Sequence, residues 1–364
     1  MSGPMYIKSK QLTVGDEFHN QPLLGFLMAS SLHFSKNVAR WKVIKAEVTI
    51  DRSGKTFTAS ADTKVSTGDV VNVMMDSSPY KLVGRTSRSA SEKRDGINEQ
   101  IAATLEKLQN SVLYRDADIL AINKPHGLPV QGGSKVWIHV DRFLPDLKFD
   151  SENVPKIVHR IDRDTAGVVL LARNDATAAR LSDLFRNSEN RLEKTYWGIL
   201  VGRVPGVPSS SSESNPTKEI VTGITEVKER GRDYMAVCPA PNELINDGQL
   251  DHESKTAVTR YEIVATTPNA SMIHFHPITG KKHQIRVHAA SVLRASVVGD
   301  YKYGNGVSDR LKPLFRDPKT IPLHLHLREI TLKNWFGPNA HLKITAPVPK
   351  YFEQTMRLLG FDRR

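Results

Sequence analysis

The stretch Val158-His159-Arg160-Ile161-Asp162-Arg163-Asp164-Thr165-Ala166-Gly167-Val168-Val169-Leu170-Leu171-Ala172-Arg173 decides the fold. Its first half crowds carboxylates, arginines, a histidine and a threonine together, and its second half is an unbroken apolar run. A run of this length, rich in β-branched residues, predicts a strand that is buried on both faces. The polar half is therefore predicted to be a loop that leads into a core strand, a usual position for catalytic groups. A surface turn with solvated ion pairs is the alternative that this stretch alone leaves open.

Four further motifs flank this loop in the sequence. They are Asn123-Lys124-Pro125-His126-Gly127-Leu128, Lys194-Thr195-Tyr196 before an apolar run that ends at Gly202, Thr279-Gly280-Lys281-Lys282-His283-Gln284-Ile285-Arg286-Val287-His288, and Gly299-Asp300-Tyr301-Lys302-Tyr303-Gly304. In a strand, alternate side chains point to one face, so Lys194 and Tyr196 are predicted to share a side.

Together these motifs resemble those of the RluA-type RNA pseudouridine synthases. The signature loop of that family reads His-Arg-Leu-Asp-x-x-Thr-Ser-Gly, and the third motif reads Thr-Gly-Arg-Thr-His-Gln-Ile-Arg-Val-His. The chain departs from them at Ile161, Ala166, Lys281 and Lys282. The resemblance extends from residue 112 to about residue 350, with the motifs in the family's order.

The resemblance implies an α+β chain with a pseudouridine synthase fold, built on a mixed, largely antiparallel central sheet, over residues 112–364. Residues 1–80 resemble a small S4-like α/β RNA-binding domain, and an unrelated small domain is the alternative there. A short amphipathic helix is predicted from Leu23, Leu24, Phe26, Leu27, Leu32 and Phe34, followed by a second helix capped by Ser35 and a strand at Glu47–Asp51. Residues 81–111 are predicted to be a basic linker that ends in a short helix, Asn98–Gln109.

Two later segments are predicted to lack regular structure. Residues 203–220 contain three prolines and a run of serines, which predicts a surface loop. Residues 233–252 show no clear period and are predicted to be irregular.

The resemblance assigns three catalytic residues, Asp162, Tyr196 and Arg286. Asp162 corresponds to the family's catalytic aspartate, and Tyr196 to the tyrosine that stacks on the target base. An ionised carboxylate in a base-sized pocket needs a partner cation that offsets its desolvation. We therefore predict that Arg286 holds Asp162 through two parallel hydrogen bonds at the floor of a cleft, with Tyr196 on the cleft wall.

Ten further residues are predicted to contact the substrate or its RNA. Arg160 is placed to help fill the stack that a flipped uridine leaves, and Lys124 is placed either to approach a phosphate or to close a local loop. The full set is His159, Arg160, Arg163, Thr165, Lys124, Lys194, Lys281, Lys282, His283 and Gln284.

The amino-acid composition indicates which kinds of partner and compartment to expect. A net charge of +12 and a pI of about 9.6 favour a polyanionic partner such as RNA, although solvated lysines produce the same balance. The hydrophobic content of 39% fits a soluble globular protein, and no apolar run approaches a membrane span. Cys238 is the one cysteine, so the chain has no intrachain disulfide and no thiolate metal cluster, which fits a reducing compartment.

The function predicted from these observations is isomerisation of uridine to pseudouridine in RNA, without a metal or cofactor. The partner is expected to be rRNA, chiefly of the large subunit, or a pre-ribosomal particle. The alternative is an assembly factor that keeps the fold and binds rRNA without catalysis. A metal-dependent nuclease is disfavoured because no carboxylate cluster is present and the pairs His274/His276 and His324/His326 fit structural roles better.

The residues in these motifs are most similar to those of mitochondrial members of the family, so the mitochondrion is the predicted compartment. The segment Met1–Gln21 contains Asp16 and Glu17 and reads as a poor presequence, which leaves the cytoplasm as the alternative.

Overall fold

A computed structural model describes residues 9–30, 39, 42–43, 48–60, 62–74, 88–133, 136–187, 191–205, 216–229, 231–239 and 255–362. The chain divides into two compact units, Met1–Glu92 and Lys93–Arg364. The domain limits at residues 80 and 111 stay a prediction. In these described ranges, no helix has both the length and the apolar character needed to cross a membrane.

The first unit is a four-stranded antiparallel sheet with a short helix. Its elements are β1 (Ser9–Thr13), a 3-10 turn (Asp16–Phe18), α1 (Leu23–Ala29), β2 (Val48–Arg52), β3 (Lys55–Thr58) and β4 (Val70–Met74), in the strand order β1-β4-β2-β3. Alternate residues of β2 and β4, Val48, Ile50, Val71 and Val73, are buried against α1. The predicted strand is confirmed, and so is the first helix over Leu23–Ala29, whereas Leu32, Phe34 and most of the second helix expected after Ser35 lie outside the described residues.

A long helix, α2 (Arg88–Gln109), replaces most of the predicted linker. The expected helix began at Asn98, so the prediction of an irregular basic segment was wrong from Arg88 onwards, while residues 81–87 lie outside the described part. Residues such as Ala90, Glu92 and Lys93 have high helix propensity, and no proline interrupts them.

The second unit is organised around one large mixed sheet. Its strands are β5 (Val112–Arg115), β6 (Ile119–Lys124), β7 (Lys156–Ile157), β8 (Ala166–Ala172), β9 (Leu192–Val201), β10 (Lys218–Glu229), β11 (Arg232–Cys238), β12 (Lys255–Thr266), β13 (Ala270–Pro277), β14 (Leu325–Gly337) and β15 (Ala340–Thr345). Nine of them follow the order β11-β10-β12-β13-β9-β14-β8-β6-β5, while β15 pairs with β14 and β7 with β8. Within the described ranges, β14 and β8 are parallel and the other paired strands are antiparallel. The predicted α+β class with a mixed, largely antiparallel central sheet is confirmed, and the S4-like assignment of the first unit stays a prediction.

Helices cover parts of this sheet. They are α3 (Asp175–Arg186), the one-turn α4 (Gln284–Val287) continued by a π-helical turn (His288–Val292), α5 (Lys350–Leu359), and 3-10 segments at Val140–Leu147 and Lys312–Leu314. Asn174 caps α3 by accepting a 2.8 Å hydrogen bond from the Thr177 amide. Leu181 and Leu184 of α3 pack on the cluster that surrounds β6 and β8.

Strand β8 is the buried strand that the deciding stretch predicts. All seven of its residues are buried, because β6 and β14 flank it and apolar layers cover both faces. Gly167 has a φ of +120°, and a Cβ there would lie 2.2 Å from the Leu327 carbonyl oxygen of β14. A side chain at position 167 would therefore push apart the two strands beside the loop.

One segment differs from the sequence-based expectation of irregular structure. Residues 232–238 form β11, which pairs antiparallel with β10, so the prediction for 233–252 was wrong over that part. Polar residues at its start obscure the alternating pattern that indicates a strand. The cross-strand partners that stabilise it lie elsewhere in the sequence. The first residues of β10 also fall inside the predicted loop 203–220. Residues 206–215 and 240–254 lie outside the described part.

Candidate active site

The loop before β8 opens onto a cleft with about 490 Å³ of empty space, part of which is open solvent. Nine of the thirteen predicted site residues line it, namely Arg160, Asp162, Thr165, Lys194, Tyr196, Lys281, His283, Gln284 and Arg286. They come from three places in the chain: the signature loop (residues 159–167) before β8, β9, and the segment around α4. The polar and charged lining fits a small polar ligand group such as a nucleoside.

Lys124 anchors the signature loop from inside the protein. Its ammonium group is fully buried and donates hydrogen bonds to the carbonyls of Pro125 (2.9 Å), Leu128 (2.7 Å) and Arg163 (3.0 Å). Burial lowers the pKa of Lys124 to about 7. A contact with RNA phosphate, one of its two predicted roles, is therefore wrong, and loop closure is the role that its contacts support.

Asp162 faces the guanidinium of Arg286, but the two groups do not form the predicted fork. Arg286 Nη1 lies 3.8 Å from Asp162 Oδ2, which makes an ion pair without a hydrogen bond. Arg286 Nε and Nη2 each donate a 2.8 Å hydrogen bond to the buried carboxylate of Asp300. The predicted pairing is confirmed, whereas its bidentate geometry was wrong because Asp300 takes both parallel bonds.

Asp300 is the site residue that sequence reasoning missed. It also accepts hydrogen bonds from the amides of Lys302 (2.9 Å) and Tyr303 (3.0 Å). Burial opposes its ionisation, but the hydrogen bonds and charge of Arg286 outweigh burial and hold the pKa of Asp300 below its ordinary value. The motif Gly299–Gly304 signalled its importance without revealing its partner.

His283 approaches Asp162 from the other side, in a strained backbone conformation. Its φ is +56°, in the left-handed region, and its Nε2 lies 4.0 Å from Asp162 Oδ1. Its Nδ1 lies 2.6 Å from the hydroxyl of Tyr303, a second residue that the sequence analysis did not single out. Burial lowers the pKa of His283 to about 4, so the ring is neutral at neutral pH.

Strand β9 supplies the cleft wall. Lys194 and Tyr196 stand two residues apart on one face of the strand, as predicted, and both line the cleft. Burial, and then the charge of Asp162, raise the pKa of Tyr196, which keeps its hydroxyl neutral. The strand thus presents an aromatic ring and an ammonium group to the same space.

Two predicted ligand-contacting residues instead hold the structure together. His159 Nε2 accepts a 2.8 Å hydrogen bond from the Leu170 amide, and its ring stacks on Phe185 at 4.2 Å. Gln284 is buried, and its side chain bonds the Lys281 amide, Thr259 Oγ1 and the Val258 carbonyl. For His159 the predicted substrate contact was wrong, because the ring faces β8 and α3. Gln284 borders the cleft, but internal partners occupy its amide group.

The remaining predicted residues sit around the cleft. Arg163 and Lys282 do not line it, and they pair with Asp164 (3.0 Å) and Glu226 (2.6 Å). Thr165 is buried, and its amide donates a 3.2 Å hydrogen bond to the Asp162 carbonyl, which closes the turn of the loop. Arg160 is exposed at the cleft.

The histidine pairs have structural partners. His274 stacks on Trp197 at 5.1 Å, and His324 Nε2 lies 2.8 Å from Thr355 Oγ1. Among the described residues, no group of three or more His, Cys, Asp or Glu side chains is arranged to hold a metal ion.

Comparisons with known proteins find similar chains and a similar solved structure. A family model described as RNA pseudouridylate synthase matches residues 118–291. The chain is 31% identical over 278 residues to "Pseudouridylate synthase RPUSD4, mitochondrial" of Rattus norvegicus, which covers 71% of each chain. It is 32% identical over 246 residues to "Ribosomal large subunit pseudouridine synthase C" of Rickettsia bellii, which covers 67% of this chain and 70% of the relative. The solved structure "Human RNA Pseudouridylate Synthase Domain Containing 4" matches with a TM-score of 0.58 and 28% identity, over 72% of this chain and 98% of that one.

Proposed function

The chain belongs to the RNA pseudouridylate synthase family, and we propose that it isomerises uridine in ribosomal RNA with Asp162 as the catalytic carboxylate. The observation that carries this proposal is the position of Asp162 in the cleft, 3.8 Å from the buried Arg286 guanidinium. Arg286 offsets the cost of keeping a carboxylate charged in a partly desolvated site. Asp162 is 27% exposed, which leaves it accessible to a ligand.

The target uridine must leave its helix to reach Asp162. Extrusion costs a few kcal/mol, and stacking on an aromatic side chain returns about 1–3 kcal/mol per base. Tyr196 is the aromatic residue on the cleft wall and takes this role. Arg160, exposed at the cleft, is placed to contact the RNA that the uridine leaves.

Ribosomal RNA is the proposed substrate class. The Rickettsia bellii relative is named for the large ribosomal subunit, and the rat relative is named mitochondrial. Together these names support the large-subunit rRNA of mitochondria as the target. The net charge of +12 suits a polyanionic partner of this kind.

Pseudouridine formation on rRNA tests the proposal directly. Purified protein is incubated with unmodified mitochondrial large-subunit rRNA, and new pseudouridine is located by sequencing after chemical derivatisation. We expect Asp162→Asn to abolish formation in a single-turnover assay while RNA affinity stays within a few-fold. The matched control is Asp164→Asn, which removes a carboxylate two positions away that pairs with the exposed Arg163. Turnover near wild type in Asp162→Asn would rule out the catalytic assignment.

A further inference from the structure

Lys194 is a cation in the cleft, and no group within the described ranges neutralises it. Among the residues that the structure describes, its half-buried ammonium has neither a hydrogen-bond partner nor a carboxylate within ion-pair distance. Two buried basic residues nearby do have protein partners, while Arg160, which also lines the cleft, is exposed to solvent. Arg286 binds Asp300 and pairs with Asp162, and Lys124 donates to three carbonyls. A charge kept in a partly desolvated site without a partner is costly, unless the ligand supplies the partner.

The position of Lys194 relative to Tyr196 indicates which part of the ligand it meets. Both side chains leave the same face of β9 and line the cleft that contains Asp162. If the uracil ring lies on Tyr196, the Lys194 ammonium is beside that ring rather than beside the phosphates outside the cleft. Because β9 is hydrogen-bonded on both sides, to β13 and β14, the strand holds this arrangement rigidly.

The isomerisation places negative charge on the uracil ring. When the C1′–N1 bond breaks, its electron pair stays with the ring, which becomes an anion delocalised over N1, O2 and O4. Attack of a carboxylate on the ring instead would also move charge to O4. The C1′–C5 bond then forms from the ring's electron pair, C5 loses its proton, and N1 gains one. The ring electron pair that forms the C1′–C5 bond replaces the pair that C1′ lost to N1, and the proton lost by C5 matches the one gained by N1, so the isomerisation needs no oxidant or reductant.

We propose that Lys194 is a catalytic residue that stabilises this anionic uracil ring and holds it during its rotation. The inference rests on the proposed function. It adds a positively charged residue that acts on the detached base, beside the negatively charged Asp162. A fixed ammonium next to developing charge in a partly water-excluded site is the arrangement that lowers barriers most effectively.

The electrostatic setting keeps this role available at neutral pH. Burial lowers the pKa of Lys194 to about 8, so the ammonium form still predominates there. His159 lies near it and stays neutral, because burial, and then the charge of Lys194, lower the pKa of His159 to about 3. The other titratable or charged groups that line the same cleft are Arg160, Asp162, Tyr196, Lys281, His283 and Arg286.

The leaving-group dependence of the rate tests the proposal. Single-turnover loss of the N-linked nucleoside is measured on matched RNAs that carry uridine or 5-fluorouridine at the target position. Fluorine withdraws electrons and stabilises the ring anion without help from the protein. We expect Lys194→Met to slow the uridine reaction by about 100-fold, to slow the 5-fluorouridine reaction much less, and to leave RNA affinity within a few-fold. The control Lys312→Met removes the charge of an exposed lysine that pairs with Asp309.

A pH profile gives a second readout that a packing role would not change. The wild-type single-turnover rate should fall above about pH 8 as Lys194 loses its proton, and Lys194→Arg should keep its rate to higher pH. Equal losses on uridine and 5-fluorouridine RNA, or a loss confined to RNA affinity, would overturn the role of Lys194 while leaving the proposed function intact. An inactive wild-type protein would overturn the proposed function itself.

Discussion

Arg286 and Asp300 form a buried, two-bonded ion pair with both hydrogen bonds at 2.8 Å. The Asp300 side chain is 1% exposed and that of Arg286 is 8% exposed, so water competes little for the pair. Asp300 is itself fixed by the amides of Lys302 and Tyr303. The guanidinium is therefore held in one orientation, with Nη1 directed towards Asp162 at 3.8 Å. Asp300 therefore fixes the orientation of the guanidinium that faces Asp162.

Replacing Arg286 by lysine should damage turnover more than folding. Lysine keeps the positive charge but cannot make two parallel bonds to Asp300 while facing Asp162. We expect the single-turnover rate to fall about 100-fold, and the free energy of unfolding to fall by only about 1–3 kcal/mol. Rapid-quench kinetics and denaturant unfolding measure the two effects. Arg260→Lys is the control, because Arg260 pairs with Glu219 on the surface and such pairs contribute little.

Two outcomes would contradict this view of Arg286. A rate within a few-fold of wild type would show that charge alone suffices and that the fork to Asp300 is irrelevant to catalysis. A variant that is unfolded under native conditions would show that the fork is chiefly a structural element.

Local sequence signals predicted where the cleft would form. The apolar run of β8 places Asp162 in the loop that leads into this strand, and the alternation in β9 places Tyr196 on one face of its strand. The predicted meeting of Asp162 with Arg286 is confirmed by their 3.8 Å separation, although their positions are more than a hundred residues apart in the sequence. The choice of Asp300 as the bidentate partner could not be predicted, because two carboxylates compete for one guanidinium and only tertiary geometry decides between them.

Polar residues inside a motif were harder to assign. Lys124 and His159 both stand in motifs typical of RNA contact, yet both are used internally to satisfy backbone groups around the signature loop. A sequence shows that a buried carbonyl or amide needs a partner but does not show which side chain supplies it. The same limit applies to β11, whose pairing with β10 depends on residues outside the local pattern.

The burial of His159, which accepts a hydrogen bond from the Leu170 amide, leads to a prediction about stability in acid. Burial, and then the charge of Lys194, lower the pKa of His159 to about 3, whereas an unfolded histidine titrates near about 6.5. Below pH 6.5 the unfolded chain takes up a proton that the folded chain does not, so the folded state loses stability as pH falls from there. The variant His159→Gln keeps a hydrogen-bond acceptor but does not titrate. Between pH 7 and pH 5, we expect its free energy of unfolding to fall by about 1–2 kcal/mol less than that of the wild type.

Urea unfolding at the two pH values measures that difference. The other histidines with lowered pKa, such as His324 and His326, remain in both proteins and cancel in the comparison. Parallel stability curves for the variant and the wild type would show that His159 is protonated as readily in the folded protein as in the unfolded chain.

The N-terminal unit offers the last prediction, which concerns RNA affinity. Its core residues all lie between Val14 and Val73, and the largest core of the second unit is drawn from residues 108–346, so each unit buries its own apolar side chains. Deleting residues 1–80 should therefore leave the second unit folded, with a cooperative unfolding transition.

We expect RNA binding to weaken, because the resemblance to an S4-like domain implies that this unit contacts RNA backbone. Each lost phosphate contact should reduce the salt dependence by roughly 0.7–0.9 log unit of affinity per decade of salt. Filter binding at several salt concentrations measures both quantities, and an unchanged affinity with an unchanged salt slope would show that the first unit does not bind the RNA.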